Sequence, residues 1–115
     1  MYLIKKLIAE AIGTFVLVFF ACGVAAMTGG SLVATALTFG LSIVAMAYSI
    51  GRISGCHVNP AVSLGFLILK RMTINEFLVY IIAQIFGGFV GGVAVIGIAK
   101  LGKITLLGNA CNNAL

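Results

Sequence analysis

Apolar residues run almost unbroken through Leu7 to Met27, Leu32 to Gly51 and Phe77 to Ala99, and Glu10 is the only charged residue inside these runs. Each run is near the roughly 20 residues that cross a hydrocarbon core as a helix, so the pattern predicts three transmembrane spans. A fourth run differs. Asn59 to Leu69 would make only about 16 Å of helix at 1.5 Å per residue, and Lys70 and Arg71 close it. Asn59 is a favoured N-cap and Pro60 suits the first helical position, where a missing N–H costs nothing. The stretch therefore predicts a half-helix over residues 59–70 that starts deep in the membrane.

Charge sets the expected topology. Lys5 and Lys6 precede the first span, Arg52 follows the second, and Lys70 and Arg71 follow the half-helix, against only Lys100 and Lys103 on the other side. The positive-inside bias predicts a cytoplasmic N-terminus and an extracellular C-terminus, which makes residues 52–70 re-entrant from the cytoplasmic face. Non-helical backbone at that depth needs partners from protein or cavity water, because lipid offers none. Glu10 can accept hydrogen bonds from loop N–H groups or from the His57 ring, and Gln84, in the last span, can act from another side. The alternative is that each satisfies a neighbouring helix. Thr73-Ile74-Asn75-Glu76 has the spacing of a capping box. Gly87, Gly88, Gly91 and Gly92 form two interleaved small-residue pairs four apart, which together with Gly13, Gly23, Gly40 and Gly65 predict a tight bundle.

Composition agrees. Of 115 residues 63% are hydrophobic and 8% charged, so the chain reads as an all-α membrane protein with little length left for a catalytic or nucleic-acid-binding domain. The net charge of +5 reads as topology, not as a nucleic-acid surface. The run from Leu7 is too long for a signal peptide and holds a carboxylate, so it is expected to remain as a helix. Cys22, Cys56 and Cys111 are odd in number, lack metal-ligand spacing and read as small apolar filler. No nucleophile stands beside a base, no carboxylate pair occupies one region and no glycine loop precedes a helix to cradle phosphate. Neither enzyme chemistry nor a cofactor or metal site is expected.

The half-helix carries the chemistry. Its N-terminus places a positive dipole end and free N–H groups near mid-membrane, which disfavours cations there. If Asn59 caps through its oxygen, its NH2 remains a donor, and the carbonyls of Gly55, Cys56 and His57 in an extended segment offer acceptors leading to it. That sequence suits a small neutral hydrogen-bonding solute such as water.

Glu10-Ala11-Ile12-Gly13-Thr14-Phe15, Phe39-Gly40-Leu41-Ser42, Ser54-Gly55-Cys56-His57-Val58-Asn59-Pro60-Ala61-Val62-Ser63 and Ile82-Ala83-Gln84, in this order and spacing, resemble the N-terminal half of an aquaporin, of the major intrinsic protein family. The resemblance is nearest to bacterial water-selective members. It implies that residues 1–103 form one inverted-repeat half, with three transmembrane helices plus one re-entrant half-helix, and that residues 104–115 begin an extracellular connecting loop, cut short. It also implies roles for residues: Asn59, Pro60 and Ala61 as the pore motif, Gly55, Cys56, His57 and Val58 as a carbonyl ladder, and Glu10, His57 and Gln84 as loop supports. Phe39 and Ile43 would line the selectivity filter and pore wall. From the residues alone, these two read instead as ordinary packing or lipid contacts. Phenylalanine at position 39, where glycerol-conducting members often have tryptophan, favours water over glycerol.

The second half of the family pattern is absent, with its second pore motif and remaining filter residues. Water passage would then need a complementary C-terminal half or a second copy of the chain, in the plasma membrane and within an oligomer that is a tetramer in the family. The charge bias argues against two copies inserted in opposite directions, so a separately encoded second half or a truncation is expected. Two other functions compete. A small proton-coupled multidrug exporter would show four complete spans and weak charge bias; a non-conducting fragment would carry the same residues without a pore.

Overall fold

Three long apolar stretches form helices because lipid leaves backbone groups no partner except within the segment. The computed structural model describes residues 1–101, in which the chain forms α1 (Tyr2–Met27), α2 (Leu32–Ser54), α3 (Pro60–Ile68) and α4 (Ile74–Leu101), with no strand among them. Lys103, Cys111 and the connecting loop expected over 104–115 lie outside the described residues. α1, α2 and α4 are each long and apolar enough to cross a membrane.

The helices overrun the apolar runs that announce them. α1 starts at Tyr2, α2 continues to Ser54 and α4 spans Ile74–Leu101, about 42 Å at 1.5 Å per residue. Apolar length reports the hydrocarbon core alone, whereas a helix keeps its own hydrogen bonds through the polar boundary. Conversely, α3 is shorter than the expected 59–70. It stops at Ile68 because Lys70 turns left-handed at φ +56°, with Lys70 N–H donating to the Leu67 carbonyl at 3.0 Å and Arg71 N–H to that of Phe66 at 2.9 Å. This paired pattern is a Schellman ending with lysine in the place glycine usually takes.

α1 is the central helix. α2 runs antiparallel to it, so Glu10 meets Ser54 at the level where Gly13 faces Ile50. α4 runs parallel to α1, with Gly87 against Ala11 and Gly91 against Phe15. The buried α4 stripe of Ala83, Gln84, Gly87, Gly91, Val95 and Ala99 has the spacing of one helix face. A Cβ added at Gly87 would fall on the Ala11 carbonyl oxygen, and one at Gly91 would sit 3.0 Å from the Phe15 oxygen.

Only one of the two expected glycine pairs makes this approach. A Cβ at Gly88 would lie 3.7 Å from Thr14 Cγ2, an ordinary contact, and at Gly92, Gly40 or Gly65 it would meet nothing within 4 Å. Adjacent stripes on a helix are rotated by about 100°, so one pair faces α1 while the other turns outward. Gly13 is tight as expected: a Cβ there would come within 2.6 Å of Ile50 Cδ1 and Val58 Cγ1.

The ends are locally secured. Thr73 and Glu76 exchange the capping-box bonds, Glu76 N–H to Thr73 Oγ1 at 3.2 Å and Thr73 N–H to Glu76 Oε2 at 3.0 Å. Lys6 adds an ion pair to Glu76 Oε1 at 2.9 Å that ties the start of α1 to the start of α4. α2 is closed by Gly55, left-handed at φ +88°, and the loop to α3 follows.

Candidate functional site: a loop held by a buried carboxylate

Glu10 lies two turns into α1 and is completely buried. A buried carboxylate without donors is very costly, and four converge on this one. Oε1 accepts from Ser54 Oγ at 2.6 Å and His57 N–H at 2.9 Å; Oε2 accepts from Val58 N–H at 2.7 Å and Gln84 Nε2 at 2.9 Å. One side chain thus joins α1, the end of α2, the loop and α4.

The loop is not the extended segment expected from sequence. Gly55, Cys56 and Val58 all have positive φ, at +88°, +52° and +44°. Such values are uncommon for side-chain-bearing residues and rarest for a β-branched one, and they persist only where the surroundings impose them. Here the imposing group is Glu10, which draws two consecutive loop N–H groups to one point.

Peptide planarity then fixes the other edge of the loop. In a trans peptide the carbonyl of residue i points opposite to the N–H of residue i+1. With the His57 and Val58 N–H groups on Glu10, the Cys56 and His57 carbonyls point away from it. The Gly55 carbonyl likewise opposes the Cys56 N–H, which donates to Ser54 Oγ at 3.1 Å. The carbonyls of Gly55, Cys56, His57 and Val58 accept no hydrogen bond from the described residues. Asn59 follows, its Oδ1 accepting from Ala61 N–H at 2.8 Å as the α3 cap. Its NH2 is left as a donor on an exposed residue. Pro60 and Ala61 form the exposed first turn of α3.

A second layer steadies this arrangement. Ser63 is completely buried; its Oγ accepts from Gln84 Nε2 at 3.1 Å and lies 3.0 Å from His57 Nδ1. Through this contact Ser63 ties the His57 ring to α3. The His57 ring therefore does not reach Glu10, as one expectation had it. Two backbone N–H groups already occupy the carboxylate there, and the ring swings to α3. It lies 4.4 Å from the Phe66 ring and 5.0 Å from the Tyr80 ring, centroid to centroid. Tyr80 is buried and donates its hydroxyl to the Ser54 carbonyl at 2.7 Å.

Glu10, His57 and Gln84 are thus brought together with Gly55, Cys56, Val58 and Asn59. Phe39 and Ile43 are not: they lie exposed on α2, about 24 and 18 Å along its axis from Gly55 at 1.5 Å per residue. Sequence reasoning gave no role to Ser54, Ser63, Tyr80 or Phe66. The available signal was spacing: Ser63 stands four residues after Asn59 and Tyr80 four before Gln84, each one helical turn from a residue already singled out.

Three membrane-crossing helices and a half-length helix, entered through a loop whose carbonyls face away from a buried acid, define a helical membrane protein with an interrupted fourth element. The chain belongs to the major intrinsic protein family, a family of channels, whose model matches residues 1–114. It is 50% identical over 92 residues to Aquaporin Z of Bradyrhizobium diazoefficiens, covering 75% of this chain and 38% of that protein. Aquaporin AqpM of Methanothermobacter marburgensis is 40% identical over 128 aligned positions, covering 92% of this chain and 52% of the relative. Glycerol uptake facilitator protein-like 6 of Lactiplantibacillus plantarum is 43% identical over 106 positions, covering 90% and 49%. The chain thus spans about half or less of the length of these relatives.

Proposed function

We propose that this chain supplies one side of a water-conducting pore, the other side coming from a second repeat of the same family. The observation that carries the proposal is the display by the loop of four carbonyls, Gly55 to Val58, followed by the NH2 of Asn59, none of them hydrogen-bonded among the described residues. Water can exchange its bulk hydrogen bonds for these acceptors and then turn to present its oxygen to the donor. The α3 N-terminus, with its positive dipole end, opposes the passage of hydronium at the same level. Glu10, Gln84 and Ser63 act behind the loop and do not touch the solute.

Phe39 and Ile43 would form the wall nearer the other mouth, and phenylalanine at that position supports water over glycerol. Exposure of Asn59, Phe39 and Ile43 supports a partner surface that encloses the pore with them. Lys5, Lys6, Arg52, Lys70 and Arg71 support a cytoplasmic N-terminus by the positive-inside bias, and membership of the family supports the plasma membrane as the site of action, in an oligomer.

The test is reconstitution. Proteoliposomes holding residues 1–115 alone should shrink slowly under osmotic stress, and those that also hold a matching C-terminal repeat should shrink fast. Asn59→Ala in the paired protein should remove most of the gain. Fast shrinkage with residues 1–115 alone would point instead to a pore between copies. Equally fast uptake of glycerol would replace the water-selective reading.

A further inference from the structure

We infer that the end of the bundle at which α1 begins is a docking surface for anionic phospholipid headgroups. Helix direction brings the cations together. α1 and α4 start at this end and α3 finishes there, which places Lys5, Lys70 and Arg71 on one rim, all exposed, whereas α2 ends deeper, at Ser54 beside Glu10, so that Arg52 stands back from the rim. The chain has only two acidic side chains, and neither is free to neutralise the rim. Glu10 is buried under four hydrogen bonds, and Glu76 is held by Lys6 and Thr73. None of the three rim cations forms an ion pair among the described residues. At the opposite end, the described residues hold one cation, Lys100.

The apolar neighbours of the rim specify lipid. Ile4, Ile68 and Leu69 are exposed within two residues of these cations, so acyl chain and headgroup would meet matching surfaces at one level. Lys70 and Arg71 are also preordered, because the backbone bonds that end α3 fix the turn carrying them. The charges are spread over several helix ends and form no pocket. The surface therefore selects net negative charge, not one headgroup shape.

The experiment uses the full chain in detergent with equal phosphatidylcholine and phosphatidylglycerol, which removes membrane orientation from the outcome. Co-purifying lipid is extracted and quantified. Phosphatidylglycerol should be enriched about fivefold, the effect of a single cation fully engaged near an anionic surface, or more. Enrichment should fall toward unity in K5Q/K70Q/R71Q and in about 1 M salt, where screening acts within ~3 Å, but persist in K100Q. Equal retention of the two lipids overturns the proposal, as do enrichment that survives the triple change, an equal loss in K100Q, or co-purification of RNA in place of lipid. Circular dichroism reports whether the triple variant folds. If it does not, K70Q/R71Q alone supplies the decision, through a partial loss or none.

Discussion

The Val58 amide donates to Glu10 Oε2 at 2.7 Å while Val58 itself sits at φ +44°, so a carboxylate on α1 holds a β-branched residue of the loop in a left-handed conformation. The same bond turns the preceding His57 carbonyl outward. The unusual backbone and the display of acceptors have one cause.

Glu10→Gln tests that cause. The replacement keeps size but sets an NH2 group against donors that already point at the site, leaving at least one buried N–H or hydroxyl without an acceptor. At roughly 1–3 kcal/mol for each such group, a loss of about 2–5 kcal/mol is expected. Thermal unfolding in detergent should show the drop, and osmotic permeability of the paired protein should fall with it. Unchanged stability would remove Glu10 as the anchor of the loop.

Asn59 performs two separable tasks. Asn59→Asp keeps the oxygen that accepts the Ala61 N–H, so helix stability should change little, but it removes the NH2 donor. Asn59→Ala removes both, at a cost of about 1 kcal/mol for the cap. Permeability should fall in both variants while unfolding shifts mainly in the alanine variant. A fully permeable, properly inserted Asn59→Ala protein would take this residue out of the pore.

Small-residue contacts between α1 and α4 give a positional contrast. Gly87→Ala drives a methyl group into the Ala11 carbonyl, backbone that cannot swing aside, so α4 must retreat from α1. Overpacking of this kind costs about 1–3 kcal/mol. Gly92→Ala meets nothing within 4 Å among the described residues and should be neutral or slightly stabilising through helix propensity. Equal effects at the two positions would contradict the observed face of α4.

How much of this was legible beforehand follows from what each residue type signals. Long apolar runs, and the pairing of Asn59 with Pro60 before a short one, announce three spans and a half-helix because lipid admits few alternatives. Glu10 stands out because charge inside such a run is expensive. Ser54 and Ser63 do not: Ser49, equally a serine in an apolar stretch, merely bonds back to its own helix at the Ala45 carbonyl. A hydroxyl gains meaning only when packing brings Gln84 or Glu10 to it. The left-handed values at Cys56 and Val58 were also hidden, since neither residue type favours them and a carboxylate 48 positions away imposes the latter. Likewise, interleaved glycines carry no mark of which pair faces α1. That depends on how α4 is rotated in the assembled bundle.

The two strained loop residues should respond oppositely to glycine. At Cys56, φ +52° carries a cost of about 1–2 kcal/mol for a side-chain-bearing residue, and the half-buried thiol makes no hydrogen bond among the described residues. Cys56→Gly should therefore be neutral or stabilising by up to about 1 kcal/mol, partly offset by the freer unfolded chain. At Val58 the same relief competes with packing. Its side chain is buried against Ala9 and Ile50, and removing it leaves a gap beneath Gly13. Truncating a buried aliphatic group to this extent costs about 2–4 kcal/mol, which exceeds the strain released. Val58→Gly should thus lower stability by about 1–2 kcal/mol in detergent unfolding, the difference between those two estimates. Permeability of the paired protein should survive in both variants, because glycine adopts the same φ and Glu10 still takes the same N–H groups. If Cys56→Gly proves the more damaging of the two, the loop is held by side-chain contacts and not by its bonds to Glu10.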